Sequence, residues 1–576
     1  MTNLLACKPL KLLLEETKEA GEHSLKRTLG VVQLTALGVG AIIGAGIFVM
    51  AGLGAHYAGP GLMLSFVLSG LGCAFAGLCY AEFAAMIPLA GSAYTYAYAT
   101  LGELLAWIIG WDLVLEYAMS CATLASDWTY YFNKLLEICF GENARLPAFL
   151  SNDPFTVIDK ATGATGWVNL PAIVLMGVCT IVLVIGIRES VTTNAILVGI
   201  KLSVVLFVIG VGCFYIDPGN WTSIPPSKRK ITDTGELLRR NPKIADLVPE
   251  PERHPVPDGK TLLERHREIE NVVSAEELTE IKGMKGEASK WGLISFFGLS
   301  SWLEPIDDHY RSPFMPYGLS GIMVGAALVF FAYIGFDAIS THSEEAKRPQ
   351  RDVPFGILAS LAVCTVLYLA VAAVLTGIQR YPEIDPEAGV AAAFKALADQ
   401  HKSPWLTVSA GLIAAGALAG ITSVILITFL SQARIFLAIA RDGLLPNSIF
   451  GAVHPRFRTP YLSTILVGGV LCLVTAFTPI QVLFEMVNIG TLLAFLIVCA
   501  AVLILRIRRP EVPRPFRTPV LYLVAPLGIA VNLLMMLFLP IETWLRLVGW
   551  LVIGLLIYGF YGRRHSAIGR QLNNSV

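Results

Sequence analysis

Charged side chains are scarce in this chain of 576 residues. Asp, Glu, Lys and Arg make up 15% of it and hydrophobic residues 55%, whereas about 25% of an average soluble domain is charged. Apolar runs of about 20 residues, each long enough to cross a bilayer as a helix, recur along the sequence. The composition excludes a water-soluble protein and predicts an all-α protein that crosses a membrane many times.

Residue patterns for metal or disulfide chemistry are also missing. The ten cysteines fall mostly inside apolar runs, and neither they nor the nine histidines have the spacing of zinc ligands or of a disulfide framework. No nucleophile and base are paired as in an intramembrane enzyme, and no polar lining repeats through several spans as in a channel. We therefore expect no enzyme activity, no metal and no cofactor, and neither a nucleic acid nor an obligate protein partner.

Twelve apolar runs predict twelve transmembrane helices. Lysine and arginine in the short loops lie mostly on the side of the amino terminus, which predicts that both termini are cytoplasmic in a multi-pass protein of the cell membrane, surrounded by lipid. The predicted spans are 31–53, 61–87, 101–126, 168–187, 192–216, 318–341, 354–377, 404–440, 461–477, 480–505, 519–540 and 544–562.

The charged segment 217–317 divides the spans into two groups of five and a final pair. Because five crossings invert the second group, this pattern predicts a five-plus-five inverted repeat with two extra carboxyl-terminal helices. We interpret 217–317 as a solvated helical insertion on the outer side, either a tolerated loop or a regulatory or docking element. The predicted regions are an amino-terminal segment 1–30, a first repeat 31–216, the insertion 217–317, a second repeat 318–505 and a final region 506–576.

Helices 1 and 6 of the predicted repeat carry glycine-containing interruptions. An unwound turn at membrane depth is tolerated only where it faces protein or a cavity, and matched breaks in two halves point to a transporter substrate site. The helix start after a break suits a carboxylate, and the carbonyls before it suit an ammonium, so paired breaks predict recognition of an α-amino acid. The expected substrate-binding residues of the breaks are Ile43, Gly44, Ala45, Gly46, Ile47, Phe331, Tyr333, Ile334, Gly335 and Phe336. The alternative is that these glycines only allow close helix packing and that the two phenylalanines belong to the core.

Six motifs in order resemble the amino acid–polyamine–organocation transporter superfamily, and most of all its cationic amino acid transporter branch with the bacterial permeases. They are GVGAIIGAGIF at 38–48, YAEF at 80–83, PLAGSAY at 88–94, FFAYIGFD at 330–337, EEAKRPQRDVP at 344–354 and ARDGLLP at 440–446. The resemblance covers nearly the whole chain except 217–317. It implies a secondary active amino acid transporter that works by alternating access, with an exchanger or a non-transporting sensor as alternatives.

Lys201 lies deep inside the fifth predicted span. Burial favours the neutral form of a lysine, which allows a proton to come and go near neutral pH. The resemblance implies that this ammonium occupies the place, between helices 1 and 8, where sodium-coupled relatives hold sodium. We expect Lys201 to couple transport to protons, independently of sodium. The alternative is a permanently charged lysine paired with backbone carbonyls.

Acidic residues at membrane depth are functional candidates because burying them is costly. Asp112 and Glu116 share one face of the third span. Glu116 resembles the third-helix acid of the cationic branch, next to the binding cavity, and we expect it to bind the substrate ammonium or to pair with a buried cation. Asp112 is expected to have a gating or structural role, and a structural hydrogen bond is the alternative for both residues. Asp337 follows the second break and either caps the outgoing helix or takes part in gating. Glu82 is either structural or part of an inner gate.

The resemblance places Ile421 at the pocket wall that faces the substrate side chain. Cationic-selective relatives have a smaller residue there, so a bulky isoleucine favours neutral amino acids. Glu116 favours cationic substrates instead, and symport or exchange stays open.

Overall fold

The computed structural model describes residues 29–87, 92–159, 164–186, 191–223, 237, 241–249, 259–282, 292–341, 343, 346–457, 459–567 and 569–570. This part of the chain is mostly helical, with one antiparallel pair of short strands, Val157–Asp159 and Ala164–Thr165.

Eight helical stretches among the described residues are long and apolar enough to cross a membrane: Gly46–Met86, Glu103–Phe140, Val198–Tyr215, Gly318–Ser340, Pro349–Ile378, Pro404–Arg441, Ile480–Arg508 and Ile541–His565. Four shorter apolar helices accompany them: Val31–Ile42, Leu170–Ile185, Tyr461–Phe477 and Leu521–Leu537. The chain is therefore a multi-pass membrane protein.

The helices of the first half are numbered in chain order. They are α1 (Val31–Ile42), α2 (Met50–Ala58), α3 (Leu62–Met86), α4 (Ser92–Thr100), α5 (Glu103–Phe140), α6 (Leu170–Ile185) and α7 (Val191–Gly212). Glycines delimit the longest one, because Gly102 (φ 100°) and Gly141 (φ 91°) turn the chain at the two ends of α5. Short helices lie at Ala45–Phe48, Ala148–Ser151 and Gly219–Thr222.

The second half begins after the long charged segment. Its helices are α8 (Gly318–Val329), α9 (Pro349–Ile378), α10 (Gly389–His401), α11 (Pro404–Arg441), α12 (Tyr461–Phe477), α13 (Ile480–Arg508), α14 (Leu521–Leu537) and α15 (Ile541–Ile557). Prolines start α9 and α11, where a missing N–H costs no helical hydrogen bond. Short helices lie at Ala338–Thr341, Asn447–Phe450 and Arg563–His565.

The long helices pack into one apolar core. α5 lies along α11 and α13, while α9 lies against α1 and α3. The two interrupted segments, α1–α2 and α8, are enclosed by these helices, since α1 contacts α9 and α7, and α8 contacts α2 and α3. This packing positions both interruptions in the protein interior.

Within the predicted insertion, the structure describes helices Gly259–Arg265 and Ala275–Lys282, which enclose a small apolar cluster that includes Leu262, Ile269 and Ile281. Ser274 and Glu277 form a capping box at the start of the second helix. Further helices follow at Leu293–Phe296 and Ser300–Tyr310. Other parts of the predicted insertion 217–317 lie outside the described residues.

Candidate functional site

The first interruption separates α1 from the short helix Ala45–Phe48. α1 ends at Ile42, and the backbone of Ile43 is extended (φ −74°, ψ 99°). A Cβ at Gly44 would lie 2.9 Å from Cγ2 of Val424 on α11, so the neighbouring helix packs directly on the bend. The chain is helical again after two residues.

The second interruption follows α8. A 3₁₀ turn, Phe330–Tyr333, leads to extended Ile334 (φ −62°, ψ 138°) and then to Gly335 with φ 118°. Residues with side chains rarely adopt this φ. A Cβ at Gly335 would also lie 2.8 Å from the carbonyl oxygen of Ala41, so both the conformation and the space require glycine.

The two interruptions contact each other. A Cβ at Gly46 would lie 2.4 Å from Cα of Ala332, just as Gly335 approaches Ala41. The buried Tyr368 of α9 spans both segments, because its hydroxyl lies 3.0 Å from the Ile42 oxygen and 2.8 Å from the Ala332 oxygen. Glycines and one tyrosine therefore hold the two backbone breaks side by side.

A cavity opens where the breaks meet, with an empty volume of about 470 Å³ including the space open to solvent. Most of its lining is backbone and apolar side chain, with hydroxyls from Tyr117, Ser120 and Thr428. The breaks contribute Ala41, Ile42, Gly44, Gly46, Phe331, Ile334, Gly335 and Ala338; α5 contributes Tyr117, Ser120 and Leu124; α11 contributes Val424, Ile427 and Thr428.

Five of the residues expected to bind substrate line this cavity: Gly44, Gly46, Phe331, Ile334 and Gly335. Five others are fully buried but lie outside the lining: Ile43, Ile47, Tyr333, Phe336 and Ile421. Of these, Tyr333 donates from its hydroxyl to the Phe66 oxygen at 2.9 Å, and Phe336 packs against Tyr80 and Phe495. Only the backbone of Ala45 is described.

Lys201 of α7 is 2% exposed, and its Nζ donates to the Gly40 oxygen at 2.7 Å. Its aliphatic chain passes Gly420 of α11, where a Cβ would lie 3.6 Å from Cγ of Lys201. The ammonium thus lies between α1 and α11. The residue that it contacts, Gly40, is four residues before Gly44 in the chain. This contact accommodates both the coupling role and the alternative of a structural lysine on backbone carbonyls.

A family model described as amino acid permease matches residues 29–247 and 288–560. The chain belongs to the amino acid permease family. The expected superfamily is confirmed, and the unmatched residues 248–287 lie inside the predicted insertion.

Curated relatives of this permease are transporters rather than enzymes. The methylthioribose transporter of Bacillus subtilis (strain 168) is 37% identical over 571 residues, 99% of this chain and 100% of the relative. The branched-chain amino acid permease BcaP of the same organism is 37% identical over 551 residues, 96% of each chain. The vacuolar cationic amino acid transporter 4 of Arabidopsis thaliana is 32% identical over 495 residues, 86% of this chain and 66% of the relative.

The two acidic residues predicted on α5 lie outside the lining of the cavity of this permease. Asp112 and Glu116 are 0% and 1% exposed. Asp112 faces α13, since a Cβ at Gly490 would lie 3.1 Å from its Oδ1, and Glu116 interacts electrostatically with Asp112 and Asp337. The expected direct role of Glu116 at the substrate stays a prediction.

Asp337 is joined to α5 through Tyr117. The Tyr117 hydroxyl donates to Oδ2 of Asp337 at 2.5 Å, and Tyr117 itself lines the cavity. The backbone carbonyl of Asp337 accepts from the Ser340 N–H at 2.8 Å in the turn that follows. A movement of the second break would therefore displace Tyr117 of α5. This coupling is compatible with the predicted gating role of Asp337 and with a capping role.

Glu82 lies at the end of α3 in a buried ionic cluster. Its carboxylate forms ion pairs with Arg506 and, at 3.3 Å, with Arg514, and Oε2 accepts from the Thr518 N–H at 2.8 Å. These contacts tie α3 to the end of α13 and the segment after it. Of the two predicted roles, the contacts favour the structural one.

Sequence reasoning did not identify Tyr117, Ser120 and Leu124 of α5, Val424, Ile427 and Thr428 of α11, or Tyr368. One signal was available for Ser120, because it lies four residues after Glu116 and eight after Asp112 and so continues the polar face of that span. The other residues are ordinary components of apolar helices. Only the packing of α5, α9 and α11 around the breaks reveals them.

Proposed function

We propose that this permease is a proton-coupled, sodium-independent secondary transporter that imports amino acids by alternating access. The observation that carries the proposal is the cavity between two glycine-dependent backbone breaks that contact each other. Discontinuous helices of this kind form substrate sites in transporters because their ends offer backbone groups to a charged ligand.

In the proposed complex, the substrate carboxylate lies at the helix starts after the breaks, near Gly46 and Ala338. The first N–H groups of a helix have no intrahelical acceptor and carry the positive end of the dipole. The ammonium lies at the carbonyls that precede the breaks, near Ala41 and Phe331. Binding both groups draws the two breaks together, which links occupancy to the position of α1 and α8.

We further propose the twelve-span architecture, with spans 1–5 and 6–10 as inverted repeats and both termini in the cytoplasm of the cell. Each of the twelve predicted runs coincides with a helix or an interrupted helix of the structure. The two interruptions occur in the first and sixth of these, as an inverted repeat requires. The regional boundaries at 30, 216, 317 and 505 follow from this proposal.

Lys201 is the proposed coupling residue. Its ammonium holds the Gly40 carbonyl of α1, and loss of the proton would weaken this hydrogen bond, because hydrogen bonds from charged donors are roughly twice as strong as neutral ones. α1 would then be freer to move away from α7 and α11. Proton release and the opening of α1 are thereby linked.

The proposed substrates are neutral, apolar amino acids. Leu124, Phe331, Val424 and Ile427 form apolar walls, and none of the lining residues carries a charged side chain. The branched-chain substrate in the name of the relative BcaP fits such a cavity. Ile421 adds bulk behind this wall in the proposed arrangement.

A second candidate substrate is methylthioribose, because the relative named for that compound is as similar as BcaP. Its thioether would contact the same apolar walls, and its hydroxyls would contact Ser120 and Thr428. It carries no charge, however, and would leave the positive and negative helix ends without an ionic partner. The backbone breaks therefore favour an amino acid.

Uptake by purified protein in liposomes tests the proposed function. We expect labelled leucine to accumulate only with an inward proton gradient and without sodium, and Lys201→Met to lose this accumulation while keeping leucine exchange. Lys260→Met, at an exposed lysine of helix Gly259–Arg265, is the matched control and should transport normally.

Each other outcome excludes part of the proposal. Unchanged proton-driven accumulation in Lys201→Met would remove this residue from coupling. Uptake that requires preloaded amino acid would identify an exchanger, and binding without any uptake would identify a sensor. Accumulation of methylthioribose but not of leucine would select the second candidate.

A further inference from the structure

The surface helix Ser300–Tyr310 carries an exposed apolar stripe. Leu299 directly precedes the helix, and Trp302, Ile306 and Tyr310 follow it at intervals of three or four residues, so the three lie on one helical face. These four residues are 51%, 74%, 47% and 48% exposed. Two further aromatic residues at the end of the preceding short helix, Phe296 and Phe297, are 68% and 64% exposed. We call Leu299, Trp302, Ile306 and Tyr310 the surface stripe.

The helix is fixed at the end of the membrane helices where α8 begins. Asp307, on a neighbouring face, is buried and binds the start of α8, since Oδ1 accepts from the Ser320 N–H and Oδ2 from the Ser320 hydroxyl, both at 2.8 Å. Leu303 packs on the main core. The residues of the surface stripe are left facing outward.

The flanking residues place the same segment at the ends of other apolar helices. A Cβ at Gly292 would lie 2.5 Å from the Leu539 oxygen in the turn between α14 and α15, and one at Gly59, in the turn between α2 and α3, would lie 2.5 Å from Cγ of Pro316. Three helix ends therefore lie at the level of this segment. In a multi-pass protein that level is the boundary between the lipid tails and water.

The ends of the membrane helices near this segment also carry exposed apolar side chains. Leu64, Leu319 and Leu534 lie in the end turns of α3, α8 and α14, and all are about 40% exposed or slightly more. This surface of a membrane-spanning helix is covered by lipid. Helix Ser300–Tyr310 contacts α8, so the surface stripe lies on an element next to this lipid-covered surface.

We propose that the surface stripe of helix Ser300–Tyr310 is inserted into the headgroup region of the bilayer, as an interfacial helix that holds the start of α8. Trp and Tyr favour this region because their rings are apolar with a polar edge, and amphipathic helices bind there by their apolar face. The helix contains Glu304, Asp307 and Asp308 and no lysine or arginine. Its partner is therefore zwitterionic lipid rather than anionic lipid.

An inserted surface stripe anchors α8 at the membrane surface. Asp307 connects the surface helix to the first turn of α8, and α8 leads directly to the break at Gly335. The outer part of this broken helix is then held by lipid, while the residues after the break are free of this restraint. Insertion of the surface stripe is independent of which substrate the protein transports.

Fluorescence quenching in liposomes of phosphatidylcholine tests the insertion. A fluorescent amino acid, dansylalanine, replaces Trp302 in one variant and Ile306 in another, and the exposed Lys260 in the control. At positions 302 and 306 we expect blue-shifted emission, quenching by lipid brominated near the headgroup, and little quenching by aqueous iodide. At position 260 we expect the reverse, and adding anionic lipid should not strengthen the quenching by lipid.

Two results would overturn the proposal. Iodide quenching at positions 302 and 306 as strong as at 260 would show that the stripe faces water. Protection from both quenchers would show that protein covers the stripe, such as a second copy of this chain.

Discussion

Gly335 is the residue on which the second break depends most. Its φ of 118° belongs to glycine, and a Cβ would approach the Ala41 oxygen to 2.8 Å. Such backbone strain costs about 1–3 kcal/mol for other residues, and the contact adds to it. The second break therefore requires a residue without a side chain at position 335.

For Gly335→Ala we predict loss of leucine binding by about tenfold or more, because a penalty of about 1.4 kcal/mol already corresponds to a factor of ten. Gly177→Ala on α6 is the control, since a Cβ there meets nothing within 4 Å. Binding is measured with labelled leucine on purified protein, alongside thermal unfolding. Wild-type affinity in a folded Gly335→Ala protein would show that the second break does not require glycine at this position.

Tyr368 is the second residue on which the breaks depend. Its side-chain hydroxyl contacts a backbone oxygen of each break. For Tyr368→Phe we predict slower uptake and a lower binding affinity, because the hydroxyl contacts the oxygens of Ile42 and Ala332, and leaving buried carbonyls unsatisfied costs about 1–3 kcal/mol. The matched control is Tyr522→Phe, at a tyrosine that is 68% exposed. Equal kinetics in both variants would show that the breaks keep their positions without this bridge.

Between elements, buried ionic contacts join helices that are distant in sequence. Glu82 connects α3 to Arg506 of α13 and to Arg514 beyond it. Removing one member of a buried ionic cluster leaves the others uncompensated, at a cost of about 3–5 kcal/mol. These contacts fix the position of the end of α3 relative to the end of α13.

We predict that Glu82→Gln lowers the unfolding temperature in detergent by several degrees, as expected for a loss of this size. Glu542→Gln, at an exposed glutamate in the first turn of α15, should leave it unchanged. The measurement is thermal unfolding followed by intrinsic fluorescence. A stable Glu82→Gln protein with impaired transport would instead favour the gating role.

The elements themselves were largely predictable from the sequence. Apolar runs indicated the helices, and the glycines at 44, 46 and 335 indicated both breaks, because lipid cannot satisfy an unwound backbone. Which face of each helix points toward the cavity was not predictable in this way. Tyr117 and Val424 line the cavity because of how α5 and α11 pack, and hydropathy along an enclosed helix is nearly the same on every side.

The orientation of side chains whose roles the resemblance implied was also not predictable from the sequence. Lys201 contacts the Gly40 oxygen of α1 and passes Gly420 of α11, while its role in proton coupling stays a prediction. Ile421 lies outside the lining, whereas Val424 and Thr428 of the same helix lie inside it. A rotation of α11 about its axis by less than one turn decides which of its residues face the cavity. This rotation depends on packing against helices that are distant in sequence.

For the whole molecule, the apolar walls of the cavity predict selectivity for neutral amino acids. We expect unlabelled leucine and valine to compete with labelled leucine uptake and arginine to compete weakly, because a guanidinium would lose its hydration without a charged partner in the lining. Competition in liposomes measures this selectivity. Strong competition by arginine would indicate that Glu116 takes part in binding.

We propose that two unwound segments in the interior of this permease bind the charged groups of an amino acid. Determining the structure of the protein with bound leucine would decide whether they do. We predict leucine density in the cavity between Gly44 and Gly335, with the carboxylate at the helix starts and the ammonium at the carbonyls before the breaks. Continuous helices through both segments, or leucine bound elsewhere, would contradict it.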